Sequence, residues 1–315
     1  MKWKKLGQII LPDAKVCWMA TYVGPTFVRV IEDEIWLYVS GRDSQNQSRV
    51  GIVRATLRGE EFQILAVSRE PVMELGELGT FDESGVSYPW LIEADGDLLM
   101  YYVGWVAGGK NRFMNFTGLA RSKDNGLSFS RVSRVPILDR TDGEPFGTGS
   151  CCVFRSSDQW YMYYTSFDRW DPVPGKNRPC YNIKLAVSTD GMSWSRPGRI
   201  VIGYKDSEEY VISKPMLIRE DGLFRLWYCS RGEDYRIGYA ESVDGLQFQR
   251  LDDEVGITVS TEGWDSQMVE YAFIFDFGGQ RYMVYNGNQF GKTGLGLAVL
   301  DAGINDWMIL KFHLQ

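Results

Sequence analysis

The sequence predicts an all-β fold, a five-bladed β-propeller with about four antiparallel strands in each blade. Three observations predict it: five segments share one pattern around a tyrosine, these tyrosines recur every 57 to 64 residues, and no long apolar stripe has a helical period. Five units of roughly 62 residues account for nearly all of the 315-residue chain. We therefore predict a single domain over residues 1–315.

The first repeated element is a Tyr strand. A large apolar residue and a second apolar residue precede the tyrosine, and Ser or Gly follows two positions after it. The five segments are residues 36–40, 100–104, 162–166, 226–230 and 283–287. We interpret their tyrosines as one packing position repeated five times: Tyr38, Tyr102, Tyr164, Tyr228 and Tyr285.

A second repeated strand follows each Tyr strand, at residues 50–53, 117–120, 183–186, 237–240 and 295–298. Three of these strands run into Asn-Gly or Asp-Gly turns, which supply the positive φ that a tight hairpin needs. An apolar run also precedes each Tyr strand, as at residues 25–30 and 215–219. Each unit is thus predicted to contain about four short strands.

Closure of the ring is predicted at the chain ends. Residues 3–10 and 306–312 both resemble the outermost strand of a unit, represented by residues 130–138, and either segment could complete the fifth blade. A solenoid or a sandwich could be built from the same meanders. The absence of an atypical polar capping repeat favours the closed ring.

Composition removes several classes of function. The chain has one His, His313, and five Cys without metal-ligand or redox spacing, so His-based triads and zinc sites are not predicted. We predict no cofactor, and a metal site would be oxygen-ligated, as for calcium. A net charge of −7 disfavours a nucleic-acid partner. No apolar run is long enough to span a membrane and the N-terminal residues do not form a signal-peptide core, so we predict a cytoplasmic protein.

Several motifs resemble one known superfamily. They are Ser40-Gly41-Arg42-Asp43 and residues 48–49, 74–82, 101–105, 235–242, 263–266 and 283–288. Over nearly the whole chain, the sequence resembles the five-bladed propellers of the arabinanase, levansucrase and invertase superfamily. It is most similar to family 43 and family 32 glycoside-hydrolase-like proteins associated with bacterial surface-polysaccharide gene clusters. The resemblance implies a carbohydrate-active enzyme acting on a glycosidic or sugar-phosphate linkage, with a sugar, an oligosaccharide or a nucleotide sugar as its ligand.

Acidic residues near the predicted starts of the inner strands are the catalytic candidates. They are Asp82, Glu144, Glu209 and Glu270. In glycoside hydrolysis, one carboxylic acid protonates the leaving oxygen and a second carboxylate acts as base or nucleophile. Each candidate has a structural alternative. Asp82 could cap a turn, Glu144 and Glu209 could be surface acids, and Glu270 opens an apolar strand where Lys214 or Arg231 could pair with it.

Cationic and aromatic residues are the candidates for substrate binding. Arg42, with Asp43 beside it, and Arg231 follow two of the Tyr strands, and a guanidinium binds carboxylate or phosphate groups through two hydrogen bonds. The alternative is an ion pair of Arg42 with Asp43 or Glu270. Sugar rings stack on aromatic side chains. The remaining candidates are Lys214, Trp90, Trp105 and Trp170.

The chain departs from the hydrolase pattern at the first blade. The resemblance implies an Asp, commonly beside a Pro, at the start of the first inner strand, but residues 20–26 contain no carboxylate. Without that group, two other functions remain open. One is a non-catalytic glycan- or nucleotide-sugar-binding propeller. The other is a phosphorylase or transferase that needs one carboxylic acid and holds phosphate with Arg42, Lys214 and Arg231.

Overall fold

Antiparallel strands make up nearly all of the regular structure in residues 1–301, the part of the chain that the computed structural model describes. The strands fall into groups of four that pair in chain order. The first group contains β2 (Tyr22–Ile31), β3 (Glu34–Arg42), β4 (Ser48–Arg58) and β5 (Glu61–Val67). The second contains β6 (Gly85–Ala94), β7 (Asp97–Ala107), β8 (Phe113–Ser122) and β9 (Ser130–Arg131).

The third group contains β10 (Thr148–Ser156), β11 (Gln159–Val173), β12 (Lys176–Ser188) and β13 (Ile200–Ile202). The fourth contains β14 (Val211–Glu220), β15 (Leu223–Arg231), β16 (Tyr235–Ser242) and β17 (Gln249–Arg250). The fifth contains β18 (Glu270–Phe277), β19 (Gln280–Asn286), β20 (Leu295–Leu300) and the N-terminal β1 (Trp3–Ile10). Three short 3-10 helices lie in the connections, at Cys17–Met19, Asp252–Glu254 and Gln289–Gly291. The prediction of an all-β fold built from units of four antiparallel strands is confirmed.

The first strands of the groups form a closed ring. Strand β2 contacts β6, β6 contacts β10, β10 contacts β14, β14 contacts β18, and β18 contacts β2 again. The N-terminal strand completes the fifth group, because β1 pairs antiparallel with β20 from Trp3 opposite Leu300 to Ile10 opposite Leu295. The alternative closing segment, residues 306–312, lies outside the described residues.

A β-bulge interrupts each of these five inner strands near its start. Three residues at these bulges, Tyr88, Lys214 and Tyr271, have φ values of 53°, 51° and 58°. Residues other than Gly are rarely found in this left-handed region of φ, and backbone strain of this kind concentrates at functional sites. The bulges therefore mark the ring of strand starts as the place to look for a site.

The register of the first group differs from the sequence repeat by one residue. Tyr102 pairs with Gly118, Tyr228 with Gly238 and Tyr285 with Gly296, but Tyr38 pairs with Ile52, one position away from Gly51. Because side chains alternate along a strand, a shift of one residue moves Tyr38 to the opposite face.

On that face, Tyr38 is equivalent to Tyr101 and Tyr163, whose hydroxyls donate to the carbonyl oxygens of turn glycines in the next group at 2.7 and 2.8 Å. Trp18 fills the vacated place in the first group. It is buried, and a Cβ on Gly51 would lie 2.2 Å from its ring. The fivefold tyrosine position is therefore fourfold, with a tryptophan from outside the repeat in the first group.

Candidate functional site

A cavity of about 390 Å³ opens where the inner strands start, and we call it the funnel. The starts of β2, β6, β10, β14 and β18 contribute to its wall, together with the ends of the strands that pair with them. Aromatic side chains form much of the wall: Tyr22, Tyr88, Trp105, Phe113, Phe167, Tyr181, Tyr210, Tyr235, Tyr271 and Phe290. Such rings can stack on sugars.

The charged residues that line the funnel within residues 1–301 are all arginines. They are Arg42, Arg112, Arg178 and Arg231, and the lining includes no Asp or Glu. At the first inner strand the wall is formed by Tyr22, Gly24 and Pro25, which agrees with the missing carboxylate noted in the sequence. The funnel is thus positively charged although the whole chain carries a net charge of −7.

Arg42 stands at the end of β3 between two rings. Its guanidinium carbon lies 5.5 Å from the centre of the Tyr22 ring and 5.7 Å from that of Trp105. Its Nη1 donates to Asn46 Oδ1 at 2.7 Å. No carboxylate in the described residues lies within 4 Å of it, so the alternative ion pair with Asp43 or Glu270 is not formed.

Arg231 stands at the end of β15 and shares an aromatic neighbour with Arg178. Its guanidinium carbon lies 5.1 Å from the Tyr235 ring centre, 5.4 Å from that of Phe290 and 5.7 Å from that of Tyr210, and the guanidinium carbon of Arg178 lies 4.3 Å from the Tyr210 ring centre. Arg231 Nε donates to a backbone carbonyl at 3.1 Å. Arg178 pairs with Asp171 at 3.0 Å, whereas Arg231 has no ion pair in residues 1–301.

Asp82 is fully buried in a structural hydrogen-bond network. Its Oδ2 accepts from the Tyr102 hydroxyl at 2.9 Å and from Arg131 Nε at 2.7 Å, and its Oδ1 accepts from Thr80 at 3.1 Å. It does not line the funnel.

Glu144 has an equivalent environment in the third group. It accepts from the Tyr164 hydroxyl at 2.8 Å and from Ser166 at 2.8 Å, and it pairs with Lys184 at 3.0 Å and Arg196 at 3.1 Å. Burial alone would raise its pKa, but the hydrogen bonds from Lys184, Ser166 and Tyr164 outweigh burial and lower the pKa of Glu144. The carboxylate is therefore held ionised, away from the funnel lining.

Glu209 is also buried and paired. Both of its oxygens accept from the Arg250 guanidinium, at 2.6 and 2.9 Å, and the backbone N–H of Lys205 donates to it at 2.8 Å. The structure thus places Asp82, Glu144 and Glu209 in three separate ion-pair networks and does not bring them together at the funnel.

These networks follow one rule that the sequence did not reveal. In the second to fifth groups the tyrosine of the repeat donates its hydroxyl to a carboxylate, which a cation also contacts. The tyrosine and carboxylate pairs are Tyr102 with Asp82, Tyr164 with Glu144, Tyr228 with Asp252 and Tyr285 with Asp265. A signal was available in the sequence, because the acid and the tyrosine are 20 residues apart in three of these four pairs.

Glu270 is the candidate acid that lies beside the funnel. It is fully buried at the start of β18, next in the chain to Tyr271, which lines the funnel. Neither carboxyl oxygen has a hydrogen-bond partner, so the pairing with Lys214 or Arg231 is not formed. Burial raises the pKa of Glu270 well above its usual value. Burial thus favours the neutral carboxylic acid over the carboxylate.

Lys214 lies just outside the funnel lining. Its backbone N–H donates to Ser150 Oγ at 3.1 Å, and Ser150 does line the funnel. Its Nζ has no hydrogen-bond partner and lies 5.6 Å from the Phe273 ring centre. Burial lowers the pKa of Lys214 to about 8.

The remaining candidates divide between the funnel and other places. Trp105 lines the funnel and its Nε1 donates to Ser48 at 2.7 Å. Asp43 is buried in a turn, where it accepts two backbone N–H groups and pairs with Arg49 at 2.7 Å. Trp90 is buried between inner strands, and its Nε1 donates to the Val153 carbonyl at 2.8 Å. Trp170 packs on the ring of Phe113 without lining the funnel.

Of the eleven catalytic and substrate-binding residues predicted from the sequence, the structure therefore places Arg42, Trp105 and Arg231 in the funnel wall. Within residues 1–301, no cluster of three or more His, Cys, Asp or Glu could hold a metal ion. No helix in the same residues has the length and apolar character needed to cross a membrane.

Comparisons with known proteins identify relatives of the whole chain. No protein-family model matches. The "Uncharacterized protein MT1551" and the "Uncharacterized protein Rv1502", from two strains of Mycobacterium tuberculosis, are each 36% identical over 302 residues, which cover 96% of this chain and 100% of the relative.

Solved structures share the fold at low sequence identity. A glycoside hydrolase has a TM-score of 0.73 at 15% identity, over 94% of this chain and 90% of that one. A thermostable family-43 glycoside hydrolase has a TM-score of 0.66 at 15% identity, over 88% of both chains. A structure from work on the GH130 family of mannoside phosphorylases has a TM-score of 0.71 at 15% identity, over 94% and 93%. The predicted propeller class and the resemblance to glycoside-hydrolase propellers are confirmed for the fold.

Proposed function

Because the chain belongs to the family of the Mycobacterium tuberculosis proteins MT1551 and Rv1502 and has the propeller fold of glycoside hydrolases, we propose that it is a carbohydrate-active protein whose funnel binds an anionic sugar. One observation carries the proposal: four arginines and ten aromatic side chains line the funnel, without a lining carboxylate in residues 1–301.

The polarity of the wall favours an acidic ligand over a neutral one. A guanidinium only donates hydrogen bonds, and a neutral sugar offers hydroxyls that donate as well as accept. A carboxylate or phosphate group offers only acceptors and carries the opposite charge. Arg42 and Arg231 have no ion pair in the described residues, so their guanidinium groups can hold such a group through two hydrogen bonds.

Hydrolysis by a pair of carboxylates has little support in this geometry. It needs two carboxyl groups about 5 to 10 Å apart across the sugar. Asp82, Glu144 and Glu209 are held in ion pairs outside the funnel lining. Binding of the anionic sugar, with or without a later reaction, is the function that the funnel supports.

A second candidate function is phosphorolysis or transfer with Glu270 as the acid. Glu270 supports it because the carboxyl group is buried beside the funnel and its raised pKa keeps it protonated. In this reaction, Glu270 would give its proton to the glycosidic oxygen while phosphate, held by arginine, attacks the anomeric carbon. Turnover that requires added phosphate and is lost in Glu270→Gln would support it. Turnover without phosphate would count against it.

Calorimetric titration tests the proposal. Uronic acids and sugar 1-phosphates of the gluco, galacto and manno series are compared with the corresponding neutral sugars, in buffer of low ionic strength. We expect the acidic sugars to bind at least about tenfold more tightly, because a charge-assisted hydrogen bond contributes about 1.5 to 3 kcal/mol. Equal binding of acidic and neutral sugars, or no binding of any, would contradict the proposal.

A matched pair of variants locates the binding site. Arg231→Gln removes a funnel guanidinium. Arg54→Gln removes one that also stacks on a tryptophan, at 5.2 Å from the Trp36 ring centre, but is paired with Glu34 and lies outside the funnel. We expect Arg231→Gln to weaken binding of acidic sugars by about 10- to 100-fold and Arg54→Gln to leave it unchanged. Equal effects of the two variants would place the ligand elsewhere.

A further inference from the structure

Three of the four funnel arginines lie against aromatic rings, and they occupy two separate positions. The first is Arg42, between Tyr22 and Trp105 at the end of β3. The second is Arg231, which with Arg178 flanks Tyr210 at the end of β15. Strands β3 and β15 belong to different sheets, so the two positions lie on different walls of the funnel.

A row of three tyrosine rings links the two positions. The backbone N–H of Tyr88 donates to Ser40 Oγ, two residues from Arg42, at 2.9 Å. From Tyr88 the ring centres step 5.5 Å to Tyr271 and 5.8 Å to Tyr235, whose ring lies 5.1 Å from the Arg231 guanidinium. Arg42 ends a strand of the first group and Arg231 a strand of the fourth, and the inner strand of the fifth group lies between these two groups in the ring, so each arginine can hold a carboxylate or phosphate of its own.

The charges at the two positions also call for two anions. Arg42 and Arg231 have no carboxylate within 4 Å in residues 1–301. Arg178 shares Asp171 with Arg169. A partly buried charge is unfavourable unless it is paired, and a single anion would neutralise only one wall.

The rings between the positions fit a sugar. Burial raises the pKa values of Tyr88, Tyr235 and Tyr271, so their phenols stay protonated and can donate hydrogen bonds to sugar oxygens. Their faces and edges offer apolar surface to the carbon atoms of a pyranose.

We infer that the ligand is a carbohydrate with two anionic groups at opposite ends of at least one sugar ring, one group held at Arg42 and the other at Arg231 and Arg178. The inference rests on the proposed function and names the substrate class of the same funnel. A sugar with a carboxylate at one end and a phosphate at the other has this chemistry.

A set of four sugars tests the inference by calorimetry. Glucose, glucuronic acid, glucose 1-phosphate and glucuronic acid 1-phosphate carry no anionic group, a carboxylate, a phosphate, or both on one ring, and the galacto series gives a second set with different stereochemistry. We expect the sugar with two anionic groups to bind at least tenfold more tightly than either sugar with one. If sugars with one anionic group bind as tightly as the sugar with two in both series, the inference is wrong and the proposed function stands. If no acidic sugar binds, the proposed function itself fails.

Single variants assign the two positions. Arg42→Gln and Arg231→Gln should each weaken binding of the sugar with two anionic groups at least tenfold, whereas each sugar with one anionic group should respond strongly to only one of them. Arg54→Gln, outside the funnel, is the control. If the sugar with two anionic groups responds to only one variant, the inference is wrong.

Crystals soaked in selenate test the number of anion-binding positions without the use of a sugar. Two anomalous peaks are expected in the funnel, one beside Arg42 and one beside Arg231 and Arg178. A single peak, or none, would overturn the assignment of two anion positions. Circular dichroism and a urea midpoint for each variant establish that its fold is retained.

Discussion

Replacing Glu144 by Gln tests whether the buried acids of the repeat are structural or catalytic. Glu144 is 5% exposed and contacts Lys184 and Arg196, which are 11% and 12% exposed. The amide keeps the shape of the carboxylate and can still accept the Tyr164 hydroxyl, but it leaves two buried cations without a counter-charge. Removing one partner of a buried ion pair costs about 3 to 5 kcal/mol, and we expect a loss of stability in this range.

Urea unfolding at pH 7, followed by tryptophan fluorescence and by circular dichroism, measures the loss. Glu93→Gln is the matched control: Glu93 pairs with Arg29 at 2.9 Å but is 77% exposed, so its removal should cost about 0 to 1 kcal/mol. Because the folded-state pKa of Glu144 is lowered, its contribution is present above the unfolded pKa and disappears as the pH falls through the folded value. The free energies of unfolding of the wild-type chain and of Glu144→Gln should therefore become equal at acidic pH.

The reasoning is refuted if Glu144→Gln is no less stable than Glu93→Gln. If Glu144→Gln also keeps its stability while losing turnover or sugar binding, Glu144 belongs to the functional site as the sequence predicted. A large loss of stability, with sugar binding retained below the unfolding range, supports the structural role.

Three further predictions concern the ring axis and the first group. Glu270→Gln should raise the urea midpoint at pH 7 but not at pH 4, because its raised folded pKa makes the wild-type chain lose stability as the pH rises above about 4.5; equal midpoints at pH 7 would count against a buried neutral acid. Lys214→Met should stabilise the chain most below about pH 8, and its advantage over the wild-type chain should shrink between about pH 8 and 10.5, where only the unfolded amine still holds its proton; an advantage that does not change with pH would contradict this. Gly51→Ala should lower the free energy of unfolding by about 1 to 3 kcal/mol, because the new methyl group clashes with Trp18. Gly109→Ala, where a Cβ has nothing within 4 Å, should change the free energy of unfolding by less than about 0.5 kcal/mol. Equal urea midpoints for the two variants would refute the packing of Trp18 against Gly51.

The repeat in the sequence was sufficient to predict the fold class, but it did not predict the strand register of the first group. Tyr38 was aligned with Tyr102 because apolar residues precede both and Ser or Gly follows both. A one-residue offset is invisible to such a pattern, although it reverses the face of every side chain. Trp18, which takes the vacated place, lies outside the repeat and gives no periodic signal.

Only part of the candidate site could be predicted from the sequence. The repeat identified Arg42, Trp105 and Arg231, because they follow Tyr strands at comparable positions. Arg178 and Tyr210 lie on the extended hairpin of the third group and in the segment before β14, so no shared spacing connects them before the chain is folded.

The prolines and the acids near the starts of the inner strands differ in how well they predict the site. The Pro residues at 25, 89 and 215 mark the bulges of three inner strands, and they could have directed attention to Tyr88. Most of the acids near the strand starts instead form buried ion pairs, because a buried carboxylate requires a partner whether or not it is catalytic. The single-domain assignment over residues 1–315 and the cytoplasmic location stay predictions.

A crystal structure of the chain soaked with glucuronic acid 1-phosphate tests the central claim most directly. We predict the sugar in the funnel, with carboxylate or phosphate oxygens within about 3.2 Å, an ordinary hydrogen-bond distance, of the Arg42 and Arg231 guanidinium groups. A sugar bound at Asp82, Glu144 or Glu209, or on the outer face of the propeller with the funnel arginines untouched, would contradict the account.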